Sequence, residues 1–145
     1  MRNILCKHSS SLQHNLEFFS NKHYSQHLFD GYSISHIYYG MLYGIIFKKW
    51  WIVLIIAILF EIIENTEYVA KRFRKIGYTT STDSIVNMVG DVICNMFGYS
   101  IEYFVPGNYK WLLLLAFIIN EIIFLSNKNL RQYSILYMIY IFIFK

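Results

Sequence analysis

Five apolar runs, separated by short charged or turn-forming stretches, constrain this chain more than anything else in it. Residues 50–70, WWIVLIIAILFEIIENTEYVA, have the length of about 20 residues that a helix needs to cross a hydrocarbon core ~30 Å thick. Residues 33–47, 83–104 and 111–125 are further candidate spans, and 133–144 is a last, short run that either crosses or lies along an interface. In lipid the backbone must satisfy its own hydrogen bonds, and these runs lack the alternation of barrel strands. The expectation is an all-α, multi-pass transmembrane bundle of four to five helices over residues 31–145. A polar, His-rich segment, residues 1–30, precedes it.

Composition supports that class. The chain is 56% hydrophobic and only 15% charged, more apolar than soluble domains of this size. Its wealth of Ile, Tyr, Phe, Asn and Lys looks like an AT-rich coding genome, so part of the apolarity reflects codon usage. Basic residues cluster as Lys48-Lys49 and as KRFRK, residues 71–75, each directly after an apolar run. That is the pattern of membrane-flanking charge, and it argues against a nucleic-acid surface. The lipid bilayer is therefore the expected partner. A positive-inside reading puts the N-terminus, the basic loop 71–82 and the SNKNLRQ loop in the cytoplasm, with Lys48-Lys49 opposing. Cys6 and Cys94 make no disulfide framework. Cys6 and His8 with His14, His23 or His27 match no standard zinc spacing. The opening MRNILCKHSSS has no signal-peptide core.

The run TDSIVNMVGDVICNMFGYSIEYF carries Asp83, Asn87, Asp91 and Asn95, each four residues after the last. On a helix they share one stripe, with Ser84 and Gly98 close to it. Glu61, Glu64 and Asn65 form a second stripe, and His36 precedes a Gly40-x-x-x-Gly44 motif suited to close helix packing. Of nine acidic residues, seven lie at or after Glu61, in or beside the apolar runs. Each ionisable group near mid-membrane costs at least ~2.5–3.5 kcal/mol on the insertion scale, so such placement needs a reason. Asn87, Asn95 and Ser84 could serve as interhelical glue, worth ~0.6–2 kcal/mol each. Four carboxylates, Glu61, Glu64, Asp83 and Asp91, need a cation or shared protons if they meet. Glu67, Glu102 and Glu121 sit nearer run ends, where interfacial placement or pairing with Lys accounts for them.

Four motifs, SQHLFDGYSISHIYYG, EIIENTEYVAKRFR, TDSIVNMVGDVICNMFGY and NEIIFLSNKNL, follow one another over residues 25–130. In order and spacing the chain resembles an uncharacterised family of small bacterial multi-pass membrane proteins. The resemblance matches Ser25, Gln26, His27, Asp30, Tyr32, Ser33 and His36 to that family's first block, and Glu61, Glu64, Asn65 and Thr66 to its second. Asp83, Ser84, Asn87, Asp91 and Gly98 match the third, and Asn129 the last. The chain departs from the pattern at Thr82, where the family has glycine, at Tyr39, where it has histidine, and at Asn127-Lys128, where it has Arg-Asp. A fainter likeness, to VanZ-like envelope proteins, covers only the His-bearing helix and the Asp-x-x-x-Asn helix. The resemblance implies a membrane protein with a polar cluster and carries no activity.

Three functions fit these residues. An intramembrane enzyme acting on a lipid or envelope precursor would use Glu61, Glu64, Asp83 and Asp91 as acid, base or hard ligands of a divalent cation. His27 or His36 would move a proton, Asn65 and Asn87 would orient substrate, and Arg72, Arg74 and Lys75 would hold a phosphate headgroup. No HExxH, GxSxG or P-loop signature accompanies them. A transport or proton-relay protein would use the same groups as a path, and a homo-oligomer would supply the size a small bundle lacks. A structural membrane protein would use the cluster only to fix helix register.

Overall fold

The computed structural model describes residues 26–74, 82–128 and 134–144, the backbone alone for residues 71–74, 135, 138, 141 and 142. Among these residues all regular structure is helical: α1 Ser33–Phe47, α2 Trp50–Glu64, α3 Glu67–Arg74, α4 Ile85–Phe104, α5 Lys110–Ser126 and α6 Ile135–Phe144. A 3-10 turn, Gly107–Tyr109, leads into α5.

Local chemistry sets the boundaries. Asp30 Oδ1 accepts from Tyr32 N at 2.8 Å, closing a turn from which α1 starts. Lys48 ends α1 in the left-handed conformation (φ 54°), its N–H on Gly44 O, so α2 folds back after two residues. The apolar run 50–70 is not one helix. At its polar end Asn65 turns its side chain onto Glu61 O (3.0 Å), and Thr66 donates to Ile63 O (2.7 Å). Such local bonds offer the backbone an alternative to the helix ladder, and the chain restarts as α3. Residues 71–74 thus continue a helix, where the sequence suggested a loop; residues 75–81 lie outside the described residues. Ser84 caps α4, its Oγ accepting from Asn87 N at 3.1 Å. Val105, extended before Pro106, ends it. Ser134 caps α6, its Oγ accepting from Tyr137 N and donating to Glu121 Oε2 at 2.7 Å.

α1 lies along α4 over most of its length, with α2 against both. A Cβ at Gly40 would overlap the Asn95 carbonyl oxygen, and one at Gly98 would overlap that of Ile37. The two backbones therefore touch, which only glycine permits on both sides. The 26–30 segment runs along the start of α4, with Ser84 Oγ donating to Gln26 O (3.1 Å) and Gly90 against Leu28 O.

The interior is polar and the exterior apolar. Among the described residues, fourteen polar or charged residues are buried against seven hydrophobic ones. On α4, Asn87, Asp91 and Asn95 are at most 3% exposed, while Val89, Ile93 and Phe97 on the opposite face are 50% or more exposed. Water-soluble domains distribute these residues the other way round. Among the described residues one helix, Gly107–Ser126, is long and apolar enough to cross a membrane by length and composition. α1 and α2, at 15 residues each, reach only about 22 Å.

Candidate functional site

Three helices bring His36 (α1), Glu61 (α2) and Asp91 (α4) together. Each offers one ligand-type atom, and these atoms lie within 4.8 Å of one another, all buried. His36 Nδ1 is 3.5 Å from Glu61 Oε1, and His36 Nε2 is 3.8 Å from Asp91 Oδ2. The imidazole thus sits between two carboxylates, one on each nitrogen.

Polar neighbours hold the members in place. Ser33 Oγ donates to Asp91 Oδ1 at 2.9 Å and accepts from Asp30 N at 3.1 Å. This leaves Asp91 Oδ2 turned to the imidazole. Asn95 Nδ2 lies 3.0 Å from His36 Nδ1 and donates to Asp91 O at 3.1 Å. Asn87 Nδ2 reaches Asp30 Oδ2 at 3.5 Å. Neither Glu61 oxygen, nor Asn95 Oδ1, receives a hydrogen bond. Tyr39 and Phe60 close the apolar side, their rings 5.9 and 6.0 Å from the His36 ring.

The acidic stripe divides in two. Asn87, Asp91 and Asn95 share the buried face of α4, but Asp83 precedes that helix. Asp83 forms a reciprocal pair with Asn65: Asn65 Nδ2 donates to Asp83 Oδ2, and Asp83 N donates to Asn65 Oδ1, both at 2.7 Å. That pair ties the end of α2 to the start of α4. Glu64, one turn beyond Glu61 and half-buried, is outside the converging triad. His27 is buried in the 26–30 segment and is likewise not one of the three. The side chains of Arg72 and Arg74, with Cys6, His8, His14, His23, Ser25, Lys75 and Asn129, lie outside the described residues. Glu102 pairs with Lys110, as its position suggested. Glu121 instead accepts from Ser134 Oγ and from Leu136 N (3.1 Å), at the N-terminus of α6.

Sequence reasoning left Asp30, Ser33 and Asn95 out of the site. Asp30 and Ser33 had a signal: both stand in the first of the four motifs. Asn95 had one too, as the last member of the α4 stripe.

A model of the family described as "Protein of unknown function (DUF2585)" matches residues 1–142. The chain belongs to this family. The resemblance drawn from the four motifs to an uncharacterised family is thereby supported at the level of family. Among curated proteins, the chain is similar to a "UPF0314 protein" of Sphingopyxis alaskensis, 32% identical over 101 residues, covering 60% of this chain and 50% of the relative. It is also similar to a "UPF0314 protein" of Brucella anthropi, 27% identical over 134 residues, covering 78% of this chain and 64% of the relative. The chain therefore spans between half and two thirds of the length of these relatives. No solved structure matches it.

Proposed function

We propose that this member of the DUF2585 family is a multi-pass integral membrane protein whose buried His36–Glu61–Asp91 cluster is an enzyme site acting on a lipid or envelope precursor. The observation that carries the reading is the convergence of three ionisable side chains in a buried interior, inside a bundle whose outer face is apolar. Ionisable groups facing such an interior are the usual mark of a functional path or site.

The cluster suits acid–base work. An imidazole flanked by a carboxylate on each nitrogen takes a proton at one side and delivers it at the other. Ser33 and Asn95 hold Asp91 and His36 in register for that exchange. The lipid class is favoured by an apolar groove between α1 and α5, lined by Tyr38, Tyr39, Leu42, Leu113 and Phe117. Tyr39 lines this groove and also packs on His36. An acyl chain in the groove would bring its polar end toward the cluster. Arg72 and Arg74 are the candidates for a headgroup phosphate.

A proton relay is the second reading. It is favoured by the polar series Asn87, Asp30, Ser33, Asp91 and His36, linked side chain to side chain except between Asp30 and Ser33, where the Asp30 backbone N–H donates to the hydroxyl.

The test has two stages. Alkaline carbonate extraction of membranes should leave the chain in the pellet; release into the supernatant would end the membrane reading. Lipid and lipid-linked precursor profiles by mass spectrometry are then compared in cells expressing the wild type, His36→Ala and Asp91→Asn. A species that changes only with the wild type supports the enzyme. Identical profiles with proton flux in proteoliposomes would move the assignment to the relay.

A further inference from the structure

The geometry points to a divalent transition-metal site, with His36, Glu61 and Asp91 as its protein ligands and zinc as the type of ion. This rests on the cluster being the functional site and names what it holds; with the ion bound, His36 acts as a ligand in place of exchanging protons through both nitrogens.

Neutral imidazole has one N–H. One of its nitrogens therefore presents a lone pair to a carboxylate oxygen, whichever tautomer is present. His36 meets Glu61 at Nδ1 and Asp91 at Nε2; Asn95 Nδ2, 3.0 Å from Nδ1, offers that nitrogen a donor, so the acceptor left without one is Glu61. Glu61 is 2% exposed, and neither of its oxygens receives a hydrogen bond. An acceptor so placed needs a proton or a cation to satisfy it.

The spacing of the three side chains agrees. The separations, 3.5 and 3.8 Å, are too long for hydrogen bonds. Two ligands at about 2.1 Å from one ion, at angles of 90–120°, stand roughly 3.0–3.6 Å apart. One ion meets only one imidazole nitrogen, so the relevant distance is the mutual one: taking one ligand atom from each residue, all three fall within 4.8 Å of one another, and movements of about 1 Å bring them to that range. Charge agrees as well: two carboxylates and a neutral imidazole cancel one divalent ion, as a medium of low dielectric requires.

Polar neighbours orient the three side chains. Ser33 occupies Asp91 Oδ1 and leaves Oδ2 to face the imidazole, and Asn95 holds the His36 ring. Ligating carboxylates and histidines are oriented by such outer partners. The imidazole narrows the type of ion to the transition metals. Nitrogen with carboxylate suits zinc, manganese or iron, whereas magnesium and calcium prefer oxygen alone. The ligand set foreseen from sequence, four carboxylates, is thus replaced by one histidine and two acids. Three protein ligands leave a fourth position for water or a substrate oxygen, as in catalytic zinc sites.

The experiment uses the full chain, purified in detergent, stripped with chelator and reloaded with Zn²⁺ or Mg²⁺. Bound metal is measured by mass spectrometry, and unfolding by heat. The expected result is one zinc per chain and a rise in Tm on the order of 5 °C with zinc, with no such rise with magnesium. Glu61→Gln and Asp91→Asn should keep the helical spectrum and lose that zinc. Ser33→Ala, which removes no ligand, should weaken binding by about 10–100-fold. Zinc retained by all three variants would be zinc held outside the cluster and would overturn the assignment. So would a folded wild type that binds no zinc. If neither ligand variant folds, the Ser33→Ala affinity decides: unchanged affinity overturns the site. Zinc binding without lipid turnover would keep the metal site and end the enzyme reading; turnover in metal-free protein would do the reverse.

Discussion

Gly40 on α1 lies directly against the carbonyl oxygen of Asn95 on α4, at the point where the two backbones meet. Asn95 is also the residue that contacts His36, so the close approach sets the distance between the imidazole and Asp91. Gly40→Ala would drive a methyl into that oxygen. The expected loss is about 1–3 kcal/mol, as for overpacking in a tight core, and Gly98→Ala should behave alike. Gly107, with nothing near its Cβ position, supplies the control: Gly107→Ala should leave stability nearly unchanged. Thermal unfolding in detergent reads all three. Equal stability of the Gly40 and Gly107 variants would rule out the backbone contact.

Ser33 and Asp91 should prove energetically coupled. The hydroxyl is buried and serves two partners, so Ser33→Ala leaves Asp30 N and Asp91 Oδ1 each short of a bond. The expected cost is about 1–3 kcal/mol. In a double-mutant cycle with Asp91→Asn, a coupling of about 0.5–3 kcal/mol should appear. Additive effects would show that the 2.9 Å bond does not matter to stability.

Asp83 and Asp91 stand on the same sequence stripe and should differ in effect. Asp83→Asn keeps a side-chain oxygen for Asn65 Nδ2, and the backbone N–H of residue 83 still reaches Asn65 Oδ1. The expected cost is about 1 kcal/mol, the charge-assisted share of one hydrogen bond. Zinc content should be unaffected. Asp91→Asn should abolish zinc binding. Loss of zinc in both variants would place Asp83 in the site and return the ligand set to the one foreseen from sequence.

The helices were legible because apolar runs and their punctuation are local signals: α1 spans the residues foreseen, and α4, α5 and α6 begin or end within two of theirs. The break at Asn65-Thr66 was not, because it depends on a partner: Asn65 leaves the helix to bind Asp83, far along the chain. In the site, period-four spacing joined Asn87, Asp91 and Asn95 correctly, since all three are helical. It misplaced Asp83 because Ser84 caps the helix and stops the period one residue later. Glu61 and Glu64 could not be separated by spacing, since both fall on one broad face. Only the direction in which α2 leans on α1 and α4 selects Glu61. Ser33 is silent to periodicity altogether, because its role is fixed by a carboxylate 58 residues away.

The outer face of α4 offers a test of the membrane reading that leaves the site alone. Ile93 is 50% exposed and lies opposite the Asn87–Asp91–Asn95 face. If that face meets water, Ile93→Lys is an ordinary surface change, worth within about 0.5 kcal/mol. If it meets lipid, the ammonium sits in hydrocarbon, at a cost of about 2.5–3.5 kcal/mol on the insertion scale. The expected outcome is the second: less chain recovered in alkali-resistant membranes, and lower thermal stability in detergent. Asp91→Asn removes a charge from the interior and should not lower membrane recovery. Ile93→Lys therefore separates the apolar face from the polar cluster. Full recovery and unchanged stability would mean that this face is not against lipid, and α4 would then have to be read as the helix of a water-exposed bundle.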